Sequence, residues 1–307
     1  MTFYDHLQQF DGKVVYDFVS GEPLRDPATA TPRVRIEYDD ETTVPQLLME
    51  LLSDPQADQL QGLVIGFWSG DDPELDSSDT VETLVAAADQ LASLKAIFLG
   101  DVLSEENEVS WMMQCDISPL WSAFPNLTNF GVRGSNHLSV GTIELDQLET
   151  LVMESGGAPR DLLLELMNAR YPSLKHFELY LGDDGYGWDG TPEDVQNLLD
   201  SLQAGCPQLK YLGLRDSSAI DELAPLIAAH PLLERIEVLD LSLGTLSDIG
   251  GQALLDSPAI RSLKKLDLHH HFMTPEMMAR LTRLPIDVDV NDANDPDDEY
   301  RYVAVGE

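Results

Sequence analysis

The chain has 307 residues, 43% of them hydrophobic, with 55 acidic against 18 basic side chains and a net charge of −37. That field argues against nucleic acid as a partner, because it repels phosphate backbones. No run approaches the ~18–20 uninterrupted apolar residues that a membrane helix requires, so no membrane span is expected. Two cysteines, Cys115 and Cys206, are too few for a disulfide framework and fit no metal or redox spacing. The opening Met-Thr-Phe-Tyr-Asp-His has neither a basic segment nor an apolar stretch. No secretory signal is read there, and a cytoplasmic location is expected. The acidity has two readings: solubility of an elongated surface, or steering of a basic protein partner.

In chain order, residues 1–57 read as an N-terminal cap. Val14–Phe18 and Val34–Tyr38 are predicted strands separated by the Gly21, Pro23 and Pro27 loop. A helix is predicted from Val44 to Leu52, with Pro45 in the first turn, where its missing N–H costs nothing. From Leu60 onward an apolar triad at offsets 0, 3 and 5 recurs: Leu60/Leu63/Ile65, Leu94/Ile97/Leu99, Leu127/Phe130/Val132, Leu148/Leu151/Met153 and Leu174/Phe177/Leu179. Leu209/Leu212/Leu214, Ile236/Leu239/Leu241 and Leu263/Leu266/Leu268 follow, the last three spaced by 27 residues. Val288 and Val290 read as a final, truncated strand.

The crossovers between triads carry helix starts. Asp79 and Glu82 open a helix predicted to run to Leu91, Thr191-Pro192-Glu193-Asp194 opens Val195–Leu202, and Ser218 with Asp221 opens Ile220–Ala229. Each pairs a capping side chain with an early acid that suits the positive end of the helix dipole. Pro125, Pro172, Pro207, Pro231 and Pro258 then precede the next strand. The predicted architecture is an α/β solenoid of about eight or nine irregular repeats over residues 58–292. A parallel sheet should line the concave side, with helices or loops on the convex side and right-handed βα crossovers. Residues 293–307 form an acidic tail whose Tyr300–Val305 alternation predicts a capping strand.

These triads resemble the leucine-rich-repeat superfamily in its ribonuclease-inhibitor-like α/β form, and the stretch from Gly244 to His271 resembles standalone bacterial leucine-rich-repeat proteins of unassigned function. The family commonly has Asn or Cys three positions after the third leucine. Here those positions are Ser135, Gly156, Gly182, Ser217 and Gly244, which implies tight turns without a long amide ladder. The resemblance implies a binding scaffold.

Strand alternation fixes which residues face away from the leucine core. One column reads Gly62, Ala96, Asn129, Thr150, His176, Tyr211, Val238 and Lys265. A second reads Val64, Phe98, Gly131, Val152, Glu178, Gly213, Asp240 and Asp267, and a third Gly66, Gly100, Arg133, Glu154, Tyr180, Arg215, Ser242 and His269. Aromatic and arginine side chains anchor interfaces, so His176, Glu178, Tyr180, Tyr211 and Arg215 are the expected partner-binding group. Trp68, Tyr186 and Trp188, set among glycines and aspartates in strand-end loops, are candidate binding fingers or structural rings. Gly185 and Gly187 stand where a calcium loop needs oxygen ligands, which argues against calcium. The alternative is a cation or an enzymatic centre on Asp240, Asp267 and His269. No catalytic elbow, P-loop or zincin motif occurs. The chain therefore reads as a non-catalytic interaction scaffold without cofactor, taking a protein partner, a basic one if the charge steers. Oligomeric state is left open.

Overall fold

Apolar triads that can be dried on one side only must stack against copies of themselves, and the eight triads of this chain do so within a twelve-stranded sheet. In the computed structural model, residues 3–306 are described. The strands are β1 (Gln9–Phe10), β2 (Lys13–Asp17), β3 (Ala30–Val34), β4 (Gly62–Gly66), β5 (Ala96–Asp101), β6 (Asn129–Arg133), β7 (Thr150–Glu154), β8 (His176–Gly182), β9 (Tyr211–Ser217), β10 (Val238–Asp240), β11 (Lys265–Asp267) and β12 (Asp287–Asp289). They form one sheet in sequence order, parallel throughout except for the β1–β2 hairpin. Helices α1 (Val44–Leu51), α2 (Ser78–Ala86), α3 (Pro119–Ala123), α4 (Arg160–Met167), α5 (Pro192–Gly205), α6 (Ile220–Ala229), α7 (Asp248–Asp256) and α8 (Pro275–Leu281) return the chain between strands. The result is an α/β solenoid with the sheet on one side and the helices on the other. One continuous core runs between them, and every triad residue from Leu60 to Leu268 belongs to it.

The helix starts follow their sequence signals at α1 and α5, whereas Asp79 lies inside the first turn of α2, behind an N-cap Ser77 that makes no side-chain capping bond. Thr43 and Thr191 form capping boxes with Gln46 and Asp194, each followed by a proline in the first turn. The helix expected to reach Leu91 stops at Ala86, and tighter turns finish the path, Gln90 N–H bonding Ala87 O at 2.9 Å. Leu91 is buried all the same, so apolar spacing outlasted the helix. Ser218 does not cap α6; its hydroxyl donates to Gly182 O. The early acid Asp221 serves the next repeat instead, accepting the backbone N–H groups of Ser247 (2.8 Å) and Gly250 (3.0 Å). Asp248 accepts Thr274 N–H at 2.8 Å in the same way. The N-termini of α7 and α8 are thus satisfied in relay, each by an acid of the upstream helix.

The N-terminal region differs most from expectation. Asp11 and Gly12, both at positive φ (49° and 72°), make the two-residue turn joining β1 to β2. The strand expected over Val34–Tyr38 lies at Ala30–Val34, fixed by its pairing of Ala30 to Arg33 against Val14 to Asp17. Pro32 interrupts its side-chain alternation and disguised it. Residues 3–10 then cross the sheet face opposite the helices. Phe10 packs edge-on against Phe98 with centroids 5.9 Å apart, and Phe3 stacks on Tyr180 beneath the Arg133 guanidinium, 3.5 Å from the ring. Val64 and Phe98, expected on an open apolar face, are consequently buried.

Asp101 is the anchor of this strap. Its carboxylate, fully buried, accepts Leu7 N–H on both oxygens at 3.2 Å and Arg33 Nη1 at 2.8 Å, with His6 Nδ1 at 3.5 Å and Arg133 Nη1 at 3.8 Å. Burial opposes its charge, but His6, Arg133 and Arg33 outweigh that penalty and hold its pKa below the ordinary carboxylate value. Asp101→Ala leaves buried guanidinium groups short of a partner and should cost about 3 kcal/mol in urea unfolding. Because the folded pKa is the lower one, this stabilisation is present above the unfolded Asp pKa and is lost as pH falls below about 4. The acid limb of the stability curve should therefore be shallower in the variant.

Candidate functional site

Strand pairing sets the face opposite the helices. The first column forms as its phase predicts, Gly62, Ala96, Asn129, Thr150, His176, Tyr211, Val238 and Lys265 standing side by side and continuing to Asp287. The second runs from Val64 to Asp267 and on to Asp289. The third breaks at β5, where a register shift puts Asp101 rather than Gly100 opposite Gly66. Gly100 sits at φ 100°, at the irregularity itself. Glycines in the second column let neighbours lean sideways: a Cβ on Gly213 would lie 3.1 Å from both the Glu178 and Tyr211 side chains.

A polar cluster spans β8, β9 and β10. The His176 ring stacks on Tyr211 with centroids 3.8 Å apart and planes 8° from parallel. His176 Nε2 lies 3.0 Å from Glu178 Oε2, and Arg215 Nη1 donates to Glu178 Oε1 at 2.5 Å. Tyr211 O–H donates to Asp240 Oδ2 at 2.6 Å, while Arg215 Nε donates to Ser242 Oγ at 3.0 Å and lies 3.3 Å from Asp240. Burial disfavours the Glu178 charge, yet His176 and Arg215 hold its pKa down. Burial, then Glu178 and Asp240, push the Tyr211 pKa up, so its hydroxyl stays a donor.

The sequence-predicted binding group therefore divides. His176 and Tyr211 are partly exposed on the face, beside Thr150, Val238 and Lys265. Glu178 is spent on Arg215 and His176, and Arg215 on Glu178, Ser242 and Asp240. Tyr180 is 4% exposed, covered by Phe3, Ala304 and Val305, and is withdrawn as a surface anchor. The loop aromatics are corrected too. Trp68 is buried and donates Nε1–H to Leu75 O at 3.1 Å, and Trp188 is part of the main core. Tyr186 is half-buried, its ring packed against Gly306. The two tryptophans are loop cores rather than fingers, and Tyr186 keeps a partly exposed ring.

The expected cation group changes membership. Asp240 is held by Tyr211, Arg215 and the Ser242 N–H. Among the described residues, the three groups whose donor atoms converge, within 4.8 Å of one another, are Asp267, His269 and Asp289. Both Asp267 oxygens are engaged, Oδ2 by Lys265 Nζ and Oδ1 by His269 Nδ1, each at 2.7 Å. A cation there has to displace an ammonium. His270 and His271 point elsewhere: His270 Nε2 meets Tyr302 O, and buried His271 accepts Met273 N–H on Nδ1, leaving Nε2–H for Val290 O. The two cysteines are not poised as nucleophiles, since burial raises both thiol pKa values, Cys206 to about 12.

No protein-family model matches the chain, and no curated protein does. Among solved structures, a Bacteroides fragilis protein from the Northeast Structural Genomics Consortium superposes with a TM-score of 0.82 at 28% identity, over 90% of this chain and 77% of that one. An internalin from Listeria monocytogenes gives a TM-score of 0.38 at 16% identity, over 79% of this chain and 56% of its own.

His269 offers a direct check on the acidic column. Its hydrogen bond to Asp267 raises its pKa above the usual 6.5, against the pull of burial. The coupling stabilises the fold fully below the unfolded pKa and is lost as pH rises through the folded one. Proton NMR of the ring should show a midpoint above that of an exposed histidine, falling in Asp267→Asn. An unshifted midpoint in the native chain refutes the pairing. Separately, Tyr211→Phe removes a hydrogen bond to a carboxylate and should cost about 1.5–3 kcal/mol on chemical denaturation.

Proposed function

We propose that the chain is a non-catalytic, leucine-rich-repeat scaffold that binds a protein partner on the uncovered part of its sheet face. The observation that carries this is the stacked His176–Tyr211 pair, a flat, partly exposed aromatic platform fixed from below by Glu178 and Asp240. Preorganised aromatics lose little entropy on binding and form the centres of interfaces. The platform lies between the N-terminal strap and the acidic pair Asp267 and Asp289 at the far end of the sheet. A net charge of −37 favours a basic partner drawn in by long-range attraction. A cytoplasmic setting is part of the same proposal.

The test compares affinity capture by the native chain and by His176→Ala/Tyr211→Ala, with far-UV circular dichroism as the folding control. Arg215 is left unchanged in this test, because it neutralises Glu178 and Asp240. The specific partner should be captured by the native chain and lost by the variant. Its yield should also fall between low and high salt, as exposed charges are screened beyond ~8 Å at physiological ionic strength. A partner kept equally by both chains removes the platform from the interface.

A second reading places a divalent cation on Asp267, His269 and Asp289, favoured by their convergence. Calorimetric titration with zinc decides it: sub-stoichiometric uptake, or uptake unchanged in His269→Ala, ends that reading.

A further inference from the structure

The C-terminal segment does not add an edge strand. Residues 302–306 run without regular structure along the strand-end rim, and Val303, Ala304, Val305 and Gly306 are all buried there. Three rim residues bond this segment. Val305 N–H donates to Asp216 Oδ1 at 2.8 Å, Ala304 N–H donates to Leu243 O at 2.8 Å, and His270 Nε2 meets Tyr302 O at 3.2 Å. Asp216, Leu243 and His270 occupy the same position in successive repeats, 27 residues apart. All three are non-glycine residues in the left-handed region, at φ 55°, 69° and 57°. Such backbone is unfavourable for L side chains and persists where surrounding structure imposes it. Here it presents a row of acceptors and a ring nitrogen to a neighbouring extended chain. Ala304 and Val305 then pack on Tyr180, Val109 and Leu243. At the far end the fit is tight, since a Cβ on Gly306 would lie 2.6 Å from the Tyr186 ring. The connection back to β12 is an exposed acidic stretch including Asp292, Asp295, Asp297 and Glu299.

We propose that this rim groove is a recognition site for an extended segment of small apolar residues ending in glycine on a partner protein, and that the chain's own Tyr-Val-Ala-Val-Gly is its resident, displaceable occupant. Main-chain bonds supply affinity and side-chain size supplies selection, as in other extended-peptide sites. The groove presents a surface distinct from the His176–Tyr211 rings, although Arg215, which supports them, lies 5.0 Å over the Tyr180 ring at its floor, and it extends the binding role to a second surface. It selects a short linear segment, where the platform takes a folded face.

The experiment uses a fluorescent peptide of residues 300–307, titrated by anisotropy into the full chain and into a chain ending at Arg301. Saturable binding to the shortened chain is expected, at least ~10-fold weaker to the full chain, because the resident tail leaves only a fraction of grooves open. The Gly306→Leu peptide should not bind. Equal binding to both chains, unimpaired binding of the Gly306→Leu peptide, or no binding to a shortened chain that melts as the full one does, overturns the proposal. If the shortened chain does not fold, full-length Val305→Asp, with a charge in the buried site, replaces it under the same criteria. A dimer of the full chain that Val305→Asp abolishes would show tail exchange between copies and also overturns it. Tyr211→Ala leaves the peptide titration unchanged, so the platform and the groove succeed or fail separately.

Discussion

Everything on the working face depends on the parallel backbone ladder. Each strand must bury its triad against the helices, and the ladder then holds the opposite side chains in columns roughly 4.8 Å apart. At that spacing neighbours in a column interact whether or not their chemistry suits. Apolar members close over one another, as Phe98 does over Gly131. Charged members have to be paired, because like charges facing each other across strands are destabilising.

In so acidic a chain this pairing decides where the few cations go. Asp240, Asp267 and Asp289 are consecutive in one column. Tyr211 and Arg215 meet the first, Lys265 and His269 the second. Arg33 and Arg133 are committed in the same manner to Asp101 under the N-terminal strap. These basic groups neutralise carboxylates that the repeat brings together, and acidic side chains still outnumber basic ones by 55 to 18. The cluster at His176, Tyr211 and Arg215 is part of that neutralisation as well as a platform: its buried members fix the geometry and its two stacked rings remain accessible.

The two terminal segments divide the face between them. Residues 3–10 cover its N-terminal half and residues 302–306 its strand-end rim, and they meet around Tyr180. What remains uncovered is narrower and more polar than a bare repeat stack would present.

How much of this is legible in the sequence follows from how local each signal is. The triads, their phase, the proline-punctuated crossovers and the membership of the first two columns are periodic properties of neighbouring residues, and the sequence alone determined them. The hairpin at Asp11-Gly12 is equally local, since that dipeptide is a strong short-range turn signal beside the longer alternation of Val14–Phe18. Tertiary structure decided the rest. The shifted span of β3 depends on pairing with β2, and the displacement of Gly100 by Asp101 depends on a register slip between β4 and β5. The burial of Trp68, Trp188 and Tyr180, and the course of both terminal segments, come from contacts between residues remote in the chain. Periodicity carries no information about those contacts. It fixes which way a side chain points from its strand, and only the packed chain determines what lies over it.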